Sequence, residues 1–161
     1  MTLIFNASPV IVLAKAGLID QVAAMGSPSV IPEAVVAEVR AIDDENDPAQ
    51  AWLANSPASV RVVKSPSPSP FLLAWDLGAG ESAVISLAET MPGSVVVLDD
   101  LAARRCAVAH GLSVRGTLGL ILMAKEKGAI SSVSAAIEAV VAAGLFVAPK
   151  IRDEIRAKAG E

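Results

Sequence analysis

Short apolar runs that end on a polar residue alternate, along this chain, with stretches whose apolar positions recur at helical spacing. Leu3-Ile4-Phe5, ending at Asn6, reads as a buried strand, and so do Ser29-Val30-Ile31, Val60–Val63, Val95–Leu98 and Leu112-Ser113-Val114. Between them the pattern predicts helices. One opens at Ser8-Pro9, with Ser8 as N-cap and Pro9 in the first turn, and closes at Gly17. A second lies within Leu18–Met25, and a third starts at Pro32 with Val35, Val36 and Val39 on its apolar side. Further helices are expected near Pro48–Asn55, after Gly78 (through Val84, Ile85, Leu87 and Ala88), over Leu101–His110, and from Gly116-Thr117 to Lys127. Two more lie within Ser132–Ala143 and Pro149–Ala159. The alternation predicts an α/β chain built on a parallel sheet.

Composition narrows the picture. Apolar residues make up 53% of the 161 and charged residues 19%, enough to bury a core. Aromatics are only 3% and Tyr is absent, so Val, Ala, Leu and Ile must do the packing. Strands of a parallel sheet covered on both faces need such residues. Ser65–Pro70, a Ser-Pro repeat, reads as an extended surface spacer inside one domain spanning residues 1–161, of which 130–161 form a C-terminal helical extension. No apolar stretch approaches the roughly 18–20 residues of a membrane span, and no export signal is visible. Cys106 is the only cysteine, which excludes a disulfide framework. A soluble, cytoplasmic protein with no membrane partner is expected.

The net charge of −4 argues against a surface that grips nucleic acid everywhere. It does not argue against an acidic centre that holds metal. Asp43, Asp44, Glu45 and Asp47 form one acidic loop, whereas Arg104, Arg105, Arg115, Lys125 and Lys127 gather in the second half.

Functional residues of open parallel sheets collect beyond the carboxyl ends of the strands. Asn6 and Asp99-Asp100 follow such ends, while Glu38 and Glu81 lie on helices entered from a strand or a turn. Oxygen ligands converging from these places would suit Mg²⁺ or Mn²⁺. Each has a plainer reading as well. Glu38 is a solvated helix residue, Glu81 a favourable charge at a helix N-terminus, one of Asp99 and Asp100 a helix cap, and Asn6 a turn residue.

The order of motifs adds to this. Asn6-Ala7-Ser8-Pro9-Val10-Ile11, then Val30-Ile31-Pro32 with Glu38, then Gly78-Ala79-Gly80-Glu81-Ser82 and Leu98-Asp99-Asp100 resemble the PIN (PilT N-terminus) domain superfamily, in a VapC-like branch. The match is most specific over Asp99–Arg105, Gly111–Val114, Gly116–Gly119 and Ala124-Lys125. The resemblance implies a Rossmann-like three-layer α/β/α sandwich with the first strand near the centre of the sheet. It implies a Mg²⁺- or Mn²⁺-dependent endoribonuclease, the toxin of a toxin–antitoxin pair, with a small antitoxin protein as partner and a homodimeric state. Carried over by position, Asn6, Glu38, Glu81 and, as the best match to the last acidic position, Asp100, with Asp99 an immediate rival, are the metal ligands. The acidic residues Glu38, Glu81, Asp99 and Asp100 are catalytic. Ser8 supports the first ligand. Apart from the resemblance, Arg104 and Arg105 read either as RNA phosphate contacts or as a solvated helix face. The family's usual first-strand Asp is Asn6 here, which removes one charge.

Of three rival readings, two fail. A dinucleotide fingerprint at Gly78-x-Gly80 lacks a preceding strand and puts Glu81 where pyrophosphate should sit. A receiver-like start at Val95–Asp100 leaves too little chain. The alternative in another class is a catalytically degenerate PIN-like module that binds RNA or a protein without cutting. His110 reads as a last-turn residue favouring its helix dipole, Cys106 as a buried apolar group, and Trp52 and Trp75 as packing anchors. A second copy is expected on the last helices, where Ile137, Val140, Val141 and Leu145 share one face.

Overall fold

The computed structural model describes residues 1–26 and 28–161. Five strands, β1 (Leu3–Phe5), β2 (Ser29–Pro32), β3 (Val60–Val63), β4 (Val95–Val97) and β5 (Ser113–Arg115), form one sheet in the order β3-β2-β1-β4-β5. Every pairing is parallel. Ten helices among the described residues flank it: α1 (Ala7–Lys15), α2 (Ile19–Ala23), α3 (Glu33–Arg40), α4 (Pro48–Ala54), α5 (Pro70–Leu73), α6 (Ala79–Glu89), α7 (Leu101–Ala109), α8 (Thr117–Glu126), α9 (Val133–Ala142) and α10 (Pro149–Lys158). The architecture is a three-layer α/β/α sandwich, as expected, with β1 central.

Burial explains why β1 carries no alternation. Leu3, Ile4 and Phe5 are all fully buried, because helices cover both faces of a parallel sheet. Helix α6 lies against β1, β2 and β4 and buries nearly every side chain from Ser82 to Ala88. Helix α1 packs on α2, α3, α4 and α9, chiefly through Val10 and Leu13. Gly17 and Gly111 end α1 and α7 at φ +70° and +74°, a left-handed backbone that a Cβ would strain.

Several expectations are corrected. The N-cap position of α1 belongs to Asn6, so Ser8 lies inside the first turn, exposed. Pro32 closes β2 and is the N-cap of α3, where its missing N–H breaks neither element. The Ser-Pro repeat runs extended to Ser69, whose hydroxyl accepts from Leu72 N–H and starts the short α5. His110 is tied to another helix rather than to its own: its Nδ1 lies 2.5 Å from Glu89 Oε1 at the end of α6, and its ring meets Phe71. On α9, Ile137 and Val140 are fully buried against the rest of the chain, so the face expected to seek a second copy is already covered. Trp52 is an anchor as expected, nearly buried, with its indole N–H donating to Asp20 Oδ1 at 2.8 Å.

Candidate active site

The sheet order creates one topological switch point. The chain leaves β1 toward β2 and β3, then returns to place β4 on the other side of β1. The usual ligand position in open α/β sheets lies beyond the carboxyl ends of the strands at such a point, here the ends of β1 and β4. Asn6 and Asp99 stand at these two ends. Asn6 N–H continues the pairing by donating to Val97 O at 3.2 Å.

On the β1 side, Asn6 is buried and its Oδ1 has no hydrogen-bond partner. Glu38, in the last turn of α3, points over it. One carboxylate oxygen accepts from Gly80 N–H at 2.8 Å, at the start of α6. The lack of a side chain at Gly80 lets Glu38 approach closely. A methyl group on its Cα would lie 2.5 Å from Glu38 Oε1 and 3.0 Å from Asn6 Oδ1. The amide oxygen and the carboxylate therefore flank one point above the Gly80 backbone.

On the β4 side, Asp99 is held from both oxygens. Thr117 N–H donates to Oδ1 and the Thr117 hydroxyl to Oδ2, each at 2.7 Å. Thr117 opens α8 and is fully buried, so this clasp joins β4 to α8. Gly116 leaves room beside it: a methyl group there would lie 3.2 Å from both Asp99 Oδ1 and the Arg104 guanidinium.

The other expected residues are engaged in the chain's own architecture. Glu81 folds back to accept from Gly78 N–H at 3.1 Å, the reciprocal half of a capping box. Asp100 is the N-cap of α7 and accepts from Ala103 N–H at 2.9 Å. Ser8 is exposed and makes no side-chain hydrogen bond to Asn6. Arg104 lines a cleft beside Asp99, whereas Arg105, next to it on α7, does not. No group of three His, Cys, Asp or Glu side chains among the described residues stands close enough to hold a metal ion. Sequence reasoning missed Thr117 as the clasp on Asp99, although it lies in one of the quoted motifs. It also missed Gly80 as the donor to Glu38. Cys106 is buried in α7, and burial, with Glu89 second, pushes its thiol pKa up, which leaves it a poor nucleophile.

The arrangement can be tested for a cation on its own chemistry. An unpaired buried carbonyl oxygen costs on the order of 1–3 kcal/mol, and here it sits beside a carboxylate with spare lone pairs. Hard divalent ions take such oxygen donors, so Asn6 and Glu38 fit Mg²⁺ or Mn²⁺.

An α/β/α sandwich with polar groups at its switch point is the class that fold and site define. A family model described as a PIN domain matches residues 2–161, and the chain belongs to that family, a PIN-type nuclease module. No curated protein and no solved structure compared with the chain gives a match. No described helix is long and apolar enough to cross a membrane.

Proposed function

We propose that this chain is a metal-dependent endoribonuclease of the VapC-like kind, acting in the cytoplasm as the toxin of a toxin–antitoxin pair. The observation that carries the reading is the buried, partnerless Asn6 oxygen beside Glu38 at the switch point. Asn6 and Glu38 would hold Mg²⁺ or Mn²⁺, with Asp99 at the end of the adjacent strand; Glu81 and Asp100 would join only by leaving their helix caps. A bound divalent ion supplies charge neutralisation at a phosphoryl oxygen and lowers the pKa of water. The chain's own residues do the rest. Gly80 N–H orients Glu38, Thr117 fixes Asp99, and Arg104 offers a charge to the RNA backbone. A homodimer and a small antitoxin belong to the same reading, testable by sedimentation and by co-purification with the product of an adjacent reading frame.

A second reading is favoured by a separate observation: each of these carboxylates already has a hydrogen-bond partner within the chain. Half a turn of the Asn6 amide would set its NH₂ against Glu38 and satisfy the carboxylate without metal. The chain would then be a PIN-like module that binds RNA or protein without cutting. Manganese titration followed by thermal unfolding separates the two. The nuclease reading expects saturable stabilisation of wild type that Glu38→Gln weakens, together with Mn²⁺-dependent RNA cleavage. No metal response in either protein leaves the binding module.

A further inference from the structure

A cleft of about 360 Å³ opens directly beside Asp99, between α7, the β5–α8 turn and the C-terminal helices. This is the size range of small-ligand sites, about 300–1,000 Å³. Its walls differ in character. Arg104 and Arg115 stand on one side, and Leu145, Phe146, Ile151 and Ile155 on the other. Phe146, in the loop joining α9 to α10, is 89% exposed, the most exposed large apolar side chain among the described residues. Neither arginine takes part in an ion pair with a described residue. Gly116, at the mouth, keeps the passage from Asp99 to Arg104 free of side chain. Past Arg115, Leu118 and Gly119 a second groove of about 310 Å³ continues to Lys158.

Two uncompensated guanidinium groups opposite an exposed aromatic ring pair anionic with flat apolar recognition. A duplex cannot offer an unstacked base to the ring. Single-stranded nucleic acid offers both phosphate and base face, and proteins bind it with a basic groove and aromatic platforms. We propose that this cleft is a single-stranded RNA subsite in which Arg104 and Arg115 take backbone phosphates and the Phe146 ring stacks on one base. The strand enters past Gly116 and runs toward Lys158, which places the flanking phosphodiester at Asp99. The direction of the strand rests on the nuclease reading; the binding site does not.

The test is fluorescence anisotropy of a short labelled single-stranded RNA, and of its duplex, in a chelator so that no cleavage intervenes. Phe146→Ala should weaken single-strand binding by roughly tenfold, the scale of one lost base stack. Its exposure means the fold should be unaffected, and Phe146→Trp should restore affinity. Arg115→Ala should lower the slope of log affinity against log salt by about 0.7, the value for one phosphate on a single strand. Duplex binding should be weaker in wild type and indifferent to Phe146. Unchanged single-strand affinity in Phe146→Ala, or equal losses for single strand and duplex, overturns the subsite and leaves the apolar wall to a protein partner. The same preparations are then given Mn²⁺. Cleavage without dependence on Phe146 and Arg115 sinks the subsite alone, and Phe146-dependent binding without cleavage sinks the nuclease reading alone.

Discussion

The two sides of the switch point are built from adjacent parallel strands, yet they end in opposite electrostatic conditions. At the end of β1 there is an excess of acceptors: a buried amide oxygen without a donor, and a carboxylate with one backbone N–H. At the end of β4 the acceptors are satisfied, since Thr117 supplies a donor to each oxygen of Asp99, and the space beyond is basic. The two strand ends thus present an unsatisfied buried oxygen on one side and a basic cleft on the other. The difference teaches that a carboxylate at a strand end is not by itself a ligand. What decides is how many donors a helix from elsewhere in the chain brings to it, as α8 brings two to Asp99.

The largest effect that would sharpen this contrast comes from Asn6→Asp. A second carboxylate beside Glu38 should lower stability without metal, through repulsion at close range. At a hundredfold excess of Mn²⁺ over its dissociation constant, binding should add roughly 2.7 kcal/mol. Calorimetric unfolding with and without Mn²⁺ reads both, and a metal response no greater than that of wild type would break the account of the β1 side.

On the β4 side the corresponding change is Thr117→Val, which keeps the shape and deletes one donor to a charged group. A loss of about 1.5–3 kcal/mol is expected, or several degrees of melting temperature at this chain length. Denaturant unfolding checks it. A loss near zero would mean that Asp99 is not clasped as its geometry indicates.

Gly80→Ala should have a smaller net effect on stability. Alanine favours the helix by about 1 kcal/mol over glycine, while its methyl must push the flexible Glu38 carboxylate aside. Stability should stay within about 1 kcal/mol of wild type, whereas Mn²⁺ affinity should fall because Glu38 has left its place. Titration calorimetry on this variant separates loss of the site from loss of the fold.

The smallest effect concerns the outer wall of the basic cleft. Glu161 accepts from Val133 N–H and Ser134 N–H, which start α9, and it pairs with Lys125. These bonds, Ser134 first, lower its pKa from 4.5 to about 2. A carboxyl lowered on folding contributes stability above its unfolded pKa and loses it as pH falls from about 4.5 toward 2. Hydrogen exchange of α9 and α10 should therefore quicken over that acidic window. Glu161→Gln should show fast exchange already at neutral pH, with little further change on acidification. Exchange that is equal in the two proteins at pH 7 would show that this contact does not hold the wall.

Legibility in the sequence varied with how local the cause was. All five strands were readable, because buried parallel strands are short Val/Ile/Leu runs whose ends are marked by polar or turn residues. Most helices were readable too. The short α5 was not, because its N-cap is a serine inside a Ser-Pro repeat whose composition favours extended chain. Ser-Pro is a strong local signal that points to Ser8 as the cap, but β1 pairing that runs on to Asn6 through Val97 makes Asn6 the cap, two residues earlier. The Ile137–Val140 face was readable as apolar, yet nothing in its periodicity distinguishes a neighbour within the chain from a second copy.

Sequence by itself determined the alternation of elements, the all-parallel sheet and the positions of Asn6, Glu38, Glu81 and Asp99-Asp100 beside strand ends or helix starts, because these follow from local periodicity and turn chemistry. Only the tertiary structure decided what each acid does. Asp100 and Glu81 cap helices through neighbours within three residues, but Glu38 meets Gly80 and Asp99 meets Thr117 across separations of 42 and 18 residues. Strand order brought those partners together, and hydrogen-bond donors held at such distances along the chain leave no mark in its local pattern. Phe146 joined Arg104 and Arg115 for the same reason: the C-terminal helices fold back beside β5, and a lone aromatic in a loop becomes the wall of a cleft only when they do.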